Sequence, residues 1–297
     1  MTCLRATALA AMLGVAATFA HAGESESSLA RTERIDTEHL FAFMVGTDTG
    51  EVGEKELESE VVGRFGKRPG SYRALFPSLE FEWVPIENLR LSATGTAASH
   101  AIANIAGLED RQQWAFEALS FDVRYRLIDR ARSGFGLALD VEPHWGHVDE
   151  TGGEPVDRYG ADLSLLFDRE LVPNRIVAAL NLIYQPEVSR LHATGVWSRE
   201  ATAGIAAGLM ARVAPGVLIG GEARFLRKYE GLALDHFAGQ ALFVGPTLYA
   251  RLTDRVWMIA GWSAQAAGRA AGGAGPLDLT NFERYHAKIQ FGLEFGS

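Results

Sequence analysis

The chain has 297 residues, 47% of them hydrophobic, with 32 glycines and a formal net charge of −9. An acidic balance without a basic stripe excludes nucleic acid as a partner, because nothing would neutralise the phosphates. One cysteine, Cys3, excludes a disulfide framework, and after the N-terminus no apolar run reaches the ~18 residues of a transmembrane helix.

Taken in chain order, Arg5, the apolar run Leu9 to Phe19 and the small residues of Ala20-His21-Ala22 read as a signal peptide. Cleavage is expected after Ala22, which removes Cys3 and leaves no thiol chemistry. Residues 23–54 are expected to form an N-terminal periplasmic or plug segment. Within them, 39–46 (HLFAFMVG) looks like a strand, either outside the main ladder or part of a 14-strand barrel. Asp48, Glu51 and Glu54 lack the ligand spacing of a calcium loop and read as a turn with a solvated acidic face.

Residues 55–297 carry the main pattern. Strands are expected at about 55–66, 71–84, 88–100, 114–128, 134–147, 158–170, 176–187, 197–213, 217–229, 237–252, 256–267 and 282–295. In 119–127, Leu119, Phe121, Val123, Tyr125 and Leu127 alternate with Ser120, Asp122, Arg124 and Arg126. In 158–170, Tyr159, Ala161, Leu163, Leu165 and Phe167 alternate with Arg158, Asp162, Ser164, Asp168 and Glu170. Period two puts the two sets on opposite faces of a strand. A soluble sandwich alternates too, but these segments exceed its usual strands of ~5–6 residues. Their polar faces are also densely charged, and aromatics (Trp83, Tyr125, Trp145, Tyr159, Tyr184, Trp197, Trp262) gather near the ends of the apolar faces, as an interfacial girdle needs. Short turns near 85–88, 129–133, 172–175, 214–216 and 253–255 alternate with longer links. The expected fold is therefore an all-β, transmembrane, antiparallel up-and-down β-barrel of about 12 strands, with lipid outside and both termini on the periplasmic side.

Parity assigns the lumen. Glu80, Glu82, Asp122, Asp140, Glu142, Asp162, Glu200 and Glu222 are expected to face it, with Arg90, Arg124, Arg126, Arg212, Arg224, Arg251 and Lys288 as their basic counterparts. Such residues either stiffen the interior by ion pairing or form a polar constriction that selects solutes by charge. Nothing points to catalysis. There is no Gly-x-Ser-x-Gly elbow, no phosphate loop and no dinucleotide fingerprint, so neither a cofactor nor a metal is expected. His144 and His147, with Asp149 and Glu150, are the one cluster a barrel-borne hydrolase would use, yet the two histidines fall on opposite faces of a strand.

The last strand carries a resemblance. Tyr285, Ala287, Ile289, Phe291, Leu293 and Phe295 oppose Arg284, His286, Lys288, Gln290 and Glu294. This resembles the C-terminal strand of bacterial outer-membrane proteins, which ends on an aromatic residue and is read by the barrel-assembly machinery. The resemblance implies an assembly signal in Tyr285, Phe291 and Phe295, although Gly296 and Ser297 follow the final aromatic. The stretch HLFAFMVGTDTGEVGEKELE is similar to outer-membrane proteins associated with meta-pathway phenol degradation, which implies passage of small hydrophobic or aromatic compounds. A passive outer-membrane channel or transporter for a small solute is the expected function. A structural or adhesion barrel plugged by its own side chains, and the barrel-borne hydrolase, are the alternatives.

Overall fold

Alternating sequences of this length form a closed sheet. The computed structural model describes residues 35–67 and 69–295; the signal peptide at 1–22 with its cleavage site, and residues 23–34, lie outside the described residues. Twelve strands follow one another: β1 (Lys55–Phe65), β2 (Ser71–Ile86), β3 (Leu89–Ala103), β4 (Arg111–Ile128), β5 (Gly136–Val148) and β6 (Pro155–Val172) in the first half. The second half holds β7 (Ile176–Leu191), β8 (Trp197–Ala214), β9 (Val217–Glu230), β10 (His236–Arg251), β11 (Val256–Ala270) and β12 (Tyr285–Phe295). Each pairs antiparallel with its chain neighbours, and β1 pairs with β12 from Lys55↔Phe295 to Phe65↔Tyr285, closing the barrel. Closure leaves no strand edge unpaired. A strand of 16 residues, such as β7, is ~50 Å long at ~3.3 Å per residue and rises ~40 Å at a tilt near 40°, more than the apolar band of a membrane.

The pleat sorts the side chains as parity requires. On β4, Leu119, Phe121, Val123, Tyr125 and Leu127 are exposed on the outer wall, whereas Asp122 and Arg124 are buried inside. Trp83, Trp145, Tyr159, Trp197, Trp262, Phe291 and Phe295 stand on the same outer surface. There Tyr285 stacks on Trp262 with ring centroids 5.7 Å apart. Buried charge inside and exposed hydrocarbon outside invert the usual globular arrangement, and apolar surroundings account for it.

The ends differ. At the turn end, Asn88 and Asn174 take positive φ in tight β2–β3 and β6–β7 turns, where an asparagine tolerates the left-handed region. The segment 129–133, expected as a plain turn, contains one helical turn, α1 (Arg130–Ser133). Asp129 caps it by accepting from the Ala131 N–H, and Gly134 ends it at φ 76°. At the loop end the β11–β12 link turns inward and buries Phe282 against Phe243, so β12 starts at Tyr285 rather than 282. Residues 39–46 form no strand, and the barrel closes at twelve rather than fourteen.

Candidate functional site in the barrel lumen

At the turn end, residues 35–54 pack against the inward face of the wall. Ile35, Leu40, Phe41 and Met44 are buried against Val177, Ala179, Ala206, Met210 and Leu218, while Ala42 meets Trp257 and Ile259. Two lumen-facing glycines make room for this. A Cβ on Gly208 would stand 2.7 Å from the Phe41 ring, and one on Gly261 would stand 2.2 Å from the Ala42 methyl.

Polar anchors hold the same segment. Arg130, presented by α1, donates from Nη2 to Asp48 Oδ2 at 2.6 Å and to the Ile35 carbonyl at 2.5 Å, and its Nη1 lies 3.2 Å from Asp168 Oδ1. Asp168 on β6, fully buried, also accepts from the Thr37 hydroxyl at 2.6 Å and the Thr47 N–H at 2.9 Å. Glu222 on β9 accepts the Ala42 and Phe43 N–H groups at 2.7 and 2.9 Å, together with the Thr247 hydroxyl. Asp48 is thus buried and charge-paired. The reading of it as part of a solvated acidic face is corrected, because α1 brings a guanidinium that its place in a turn did not reveal. Glu51 remains exposed.

Within the lumen, inward parity from adjacent strands brings opposite charges together. Arg90 lies 2.9 Å from Glu82, 3.3 Å from Asp122 and 3.6 Å from Glu38. Arg124 donates to Asp140 at 2.9 Å, and Lys288 stands 2.5 Å from Glu60. Arg126 donates to Asn88 at 2.9 Å and lies 3.6 Å from Asp48. Glu80 and Glu142 line a cavity of about 290 Å³ beside these groups. A second cavity of about 590 Å³ lies toward the loop end and is lined by Glu142, Asp162, Glu200 and Arg224 among others. The two share Thr96, Ser120 and Glu142 in their walls, so they adjoin. Carboxylates outnumber Arg and Lys seven to three around the inner cavity and eight to four around the outer one, so acidic side chains dominate both walls.

The link 149–154 folds into the loop-end mouth. Glu150 is held by Arg64 at 2.6 Å and by Arg158, which also binds Glu117 and lies 3.1 Å from Glu187. Its backbone is held too, by His100 at the Glu150 carbonyl (2.9 Å) and by the Tyr72 hydroxyl at the Thr151 carbonyl (3.0 Å). Burial by itself raises the Glu150 pKa, but the charges of Arg64 and Arg158 outweigh it and hold the carboxyl well below its ordinary range.

The expected lumen residues therefore separate into groups. Glu82, Arg90, Asp122, Arg124 and Asp140 converge; Arg126 and Glu222 touch residues 35–54; Asp162, Glu200 and Arg224 line the outer cavity. Arg212 lies near the turn end of β8, and Arg251, 3.5 Å from Glu294, sits at the turn end of β10. Tyr285, Phe291 and Phe295 lie on the outer wall, away from the lumen. Of the hydrolase cluster, His144, Asp149 and Glu150 line the outer cavity, but His147 does not join them. His144 faces inward, 3.7 Å from Glu187, whereas His147 packs on Trp145 and Phe116 outside. Asp149 accepts the Thr151 and Gly152 N–H groups of its own turn. Arg130 and Trp257 were not singled out in the sequence, and Asp168 was placed on the polar face of its strand but not among the lumen charges. For Trp257 a signal existed, since the first half of β11 is apolar on both parities, as a strand facing an apolar insert must be.

No curated protein matches the chain in sequence. Among solved structures, it is similar to the COG4313 outer membrane channel from Pseudomonas putida F1. That likeness covers 84% of this chain and 98% of the other at 13% identity, with a TM-score of 0.58. It is also similar to the translocator domain of the autotransporter NalP from Neisseria meningitidis, over 84% of this chain and 91% of the other at 13% identity, with a TM-score of 0.50. At such identities the likeness speaks to the fold, a barrel of the outer-membrane kind. Residues 33–295 match the family described as a family of unknown function (DUF6662), and the chain belongs to that family.

Proposed function

We propose that the protein is a passive outer-membrane channel for small solutes, closed at its turn end by residues 35–54. The observation that carries this reading is the pair of adjoining, acid-lined cavities between the folded-in outer loops and that segment. A barrel serving only as a scaffold has no need of a hollow, polar interior. The fold shared with a protein described as an outer membrane channel supports the same reading. In it, residues 1–22 direct export, the short turns face the periplasm, and the aromatic face of β12 with Tyr285, Phe291 and Phe295 engages the assembly machinery. The charged walls favour small hydrated solutes, cations above anions, over the hydrophobic or aromatic compounds that the phenol-pathway resemblance implies.

Purified protein in planar bilayers under a salt gradient is expected to show rare, discrete current steps that become long-lived when residues 35–50 are deleted. Their reversal potential should lie on the cation side. Silence of that shortened, folded barrel, together with proteoliposomes of it that stay sealed to salts and small polar solutes, would remove the channel reading. A second reading, a permanently sealed structural barrel, is favoured by the complete burial of Ile35, Leu40 and Phe41 in the lumen. It predicts silence even when that segment is released.

A further inference from the structure

His39 sits where residues 35–54 meet the wall. Its Nε2 lies 3.1 Å from Glu56 Oε2 and its Nδ1 3.4 Å from Glu58 Oε1, the two glutamates being neighbours on the inner face of β1. The imidazole lies flat on Trp257, with centroids 4.4 Å apart and planes 16° from parallel. Both carboxylates are almost wholly buried. Each is oriented from behind by a neutral donor: the Trp257 indole N–H binds Glu56 Oε1, and the Gln290 amide binds Glu58 Oε2. That leaves one oxygen of each directed at His39. Among the described residues, no lysine or arginine pairs with either glutamate. Two further buried oxygens adjoin the ring, Glu38 Oε1 and Glu82 Oε2. They make no hydrogen bond and share only Arg90, at 3.6 and 2.9 Å.

Hydrogen bonding alone closes this arrangement only with an extra proton in the pocket. A neutral imidazole donates through one nitrogen, so its other carboxylate contact needs a protonated glutamate. An imidazolium supplies both protons but leaves a net negative charge in a buried pocket, which is costly. A divalent cation balances both carboxylates with the histidine neutral. Donors bound to one ion at ~2.0–2.2 Å stand ~3.0–3.4 Å apart, as His39 Nε2 and Glu56 Oε2 do at 3.1 Å. One donor atom from each of His39, Glu56 and Glu58 lies within 4.8 Å of the others, and the same holds for Glu38, His39 and Glu82. Far-side hydrogen bonds that aim each carboxylate are the support a metal site needs. A nitrogen donor among oxygens selects a first-row transition metal over magnesium or calcium.

We propose that His39, Glu56 and Glu58 form a binding site for a divalent transition-metal ion of the zinc type, with Glu38 and Glu82 beside it. Since His39 belongs to the inserted segment and Glu56 and Glu58 to β1, the ion cross-links the two and holds the segment in place. The site stands without the channel reading; only its consequence for opening rests on that reading.

The test uses the full mature chain, folded in detergent and stripped with EDTA, titrated calorimetrically with zinc chloride and, in parallel, with magnesium chloride. One equivalent of zinc is expected to bind and magnesium is not. His39→Ala and Glu58→Gln should each weaken zinc by at least ~10-fold. Zinc should also slow proteolysis of residues 35–54 in the unsubstituted protein but not in His39→Ala. Heat-modifiable migration reports whether each variant is a folded barrel, and if His39→Ala fails to fold, Glu58→Gln decides. Zinc binding that is absent, or unchanged by the substitution in a folded variant, overturns the site. Calorimetry reads binding alone, so its failure leaves the channel reading intact, and silent bilayers leave the metal site intact.

Discussion

Replacing Arg130 with alanine probes the docking of residues 35–54 from the barrel side. Its guanidinium bridges Asp48 and the Ile35 carbonyl on the inserted segment and Asp168 on β6, and all the charged groups are buried. Removing one partner of a buried ion pair strands the other, at a cost of about 3–5 kcal/mol. Asp168 keeps its bonds from Thr37 and Thr47, which places the expected loss toward the lower value. At ~1.4 kcal/mol per decade, even 3 kcal/mol shifts the docked-to-released ratio by roughly 150-fold. The charge is left on wall and segment alike, and release of the segment relieves it by letting water reach both aspartates. The assay is limited proteolysis of folded protein in detergent, followed by mass spectrometry of cleavages within 35–54. Arg130→Ala should be cut there far faster than the parent, with the barrel intact and heat-modifiable. Equal cleavage rates in a folded variant would refute the argument that Arg130 holds the segment.

Three further outcomes follow from other parts of the molecule. Leu119→Arg, midway along β4 on the outer wall, should destabilise the folded barrel in lipid vesicles by about 2–4 kcal/mol, measured as a shift in the urea midpoint; no shift would mean that this face does not meet hydrocarbon. Glu80→Gln removes a carboxylate that lines the inner cavity and should move the reversal potential toward the anion, whereas an unchanged value would deny that group a part in selectivity. For Glu150 the folded-state pKa is depressed, so its contribution is complete above the ordinary value of 4.5 and is lost as pH falls below that toward the depressed one. Hydrogen exchange of the 149–154 link should therefore be constant between neutral pH and 5, once corrected for intrinsic rates. It should rise below 4.5 and lose this acid dependence in Glu150→Gln; a rise already complete at pH 6 would contradict the pairing.

Most of the wall could be read from the sequence because one rule, period two, governs it everywhere. The runs around Phe121, Phe167 and Leu209 place strand, face and surroundings together, and the expected strand bounds fall within a few residues of those that form. The ends deviate where the chain turns inward: Phe282 is apolar and adjoins the last run, yet it packs against Phe243 in a loop. The lumen was legible as a list but not as a network. Parity puts Arg90 and Asp122 inside, while only the register between β3 and β4 sets Ser92 beside Asp122 and leaves Arg90 within reach of it diagonally. The inserted segment was the hardest to place. Its apolar residues 39–46 have the look of a strand, and what decides otherwise is a matching inner patch of Val177, Ala179, Ala206, Met210 and Leu218, spread over three strands. Those residues break the polar-inside pattern locally, and that breakage was the available clue. His39, Glu56 and Glu58 became a cluster only when the chain folded back across β1.

In the channel proposed above, residues 35–54 close an otherwise continuous polar lumen. The direct measurement is the single-channel conductance of a folded barrel lacking residues 35–50, compared with the parent in the same bilayer and salt. Long-lived, cation-preferring open levels are expected in the shortened barrel and small or rare ones in the parent. A shortened barrel that is folded, inserted and silent would contradict that reading.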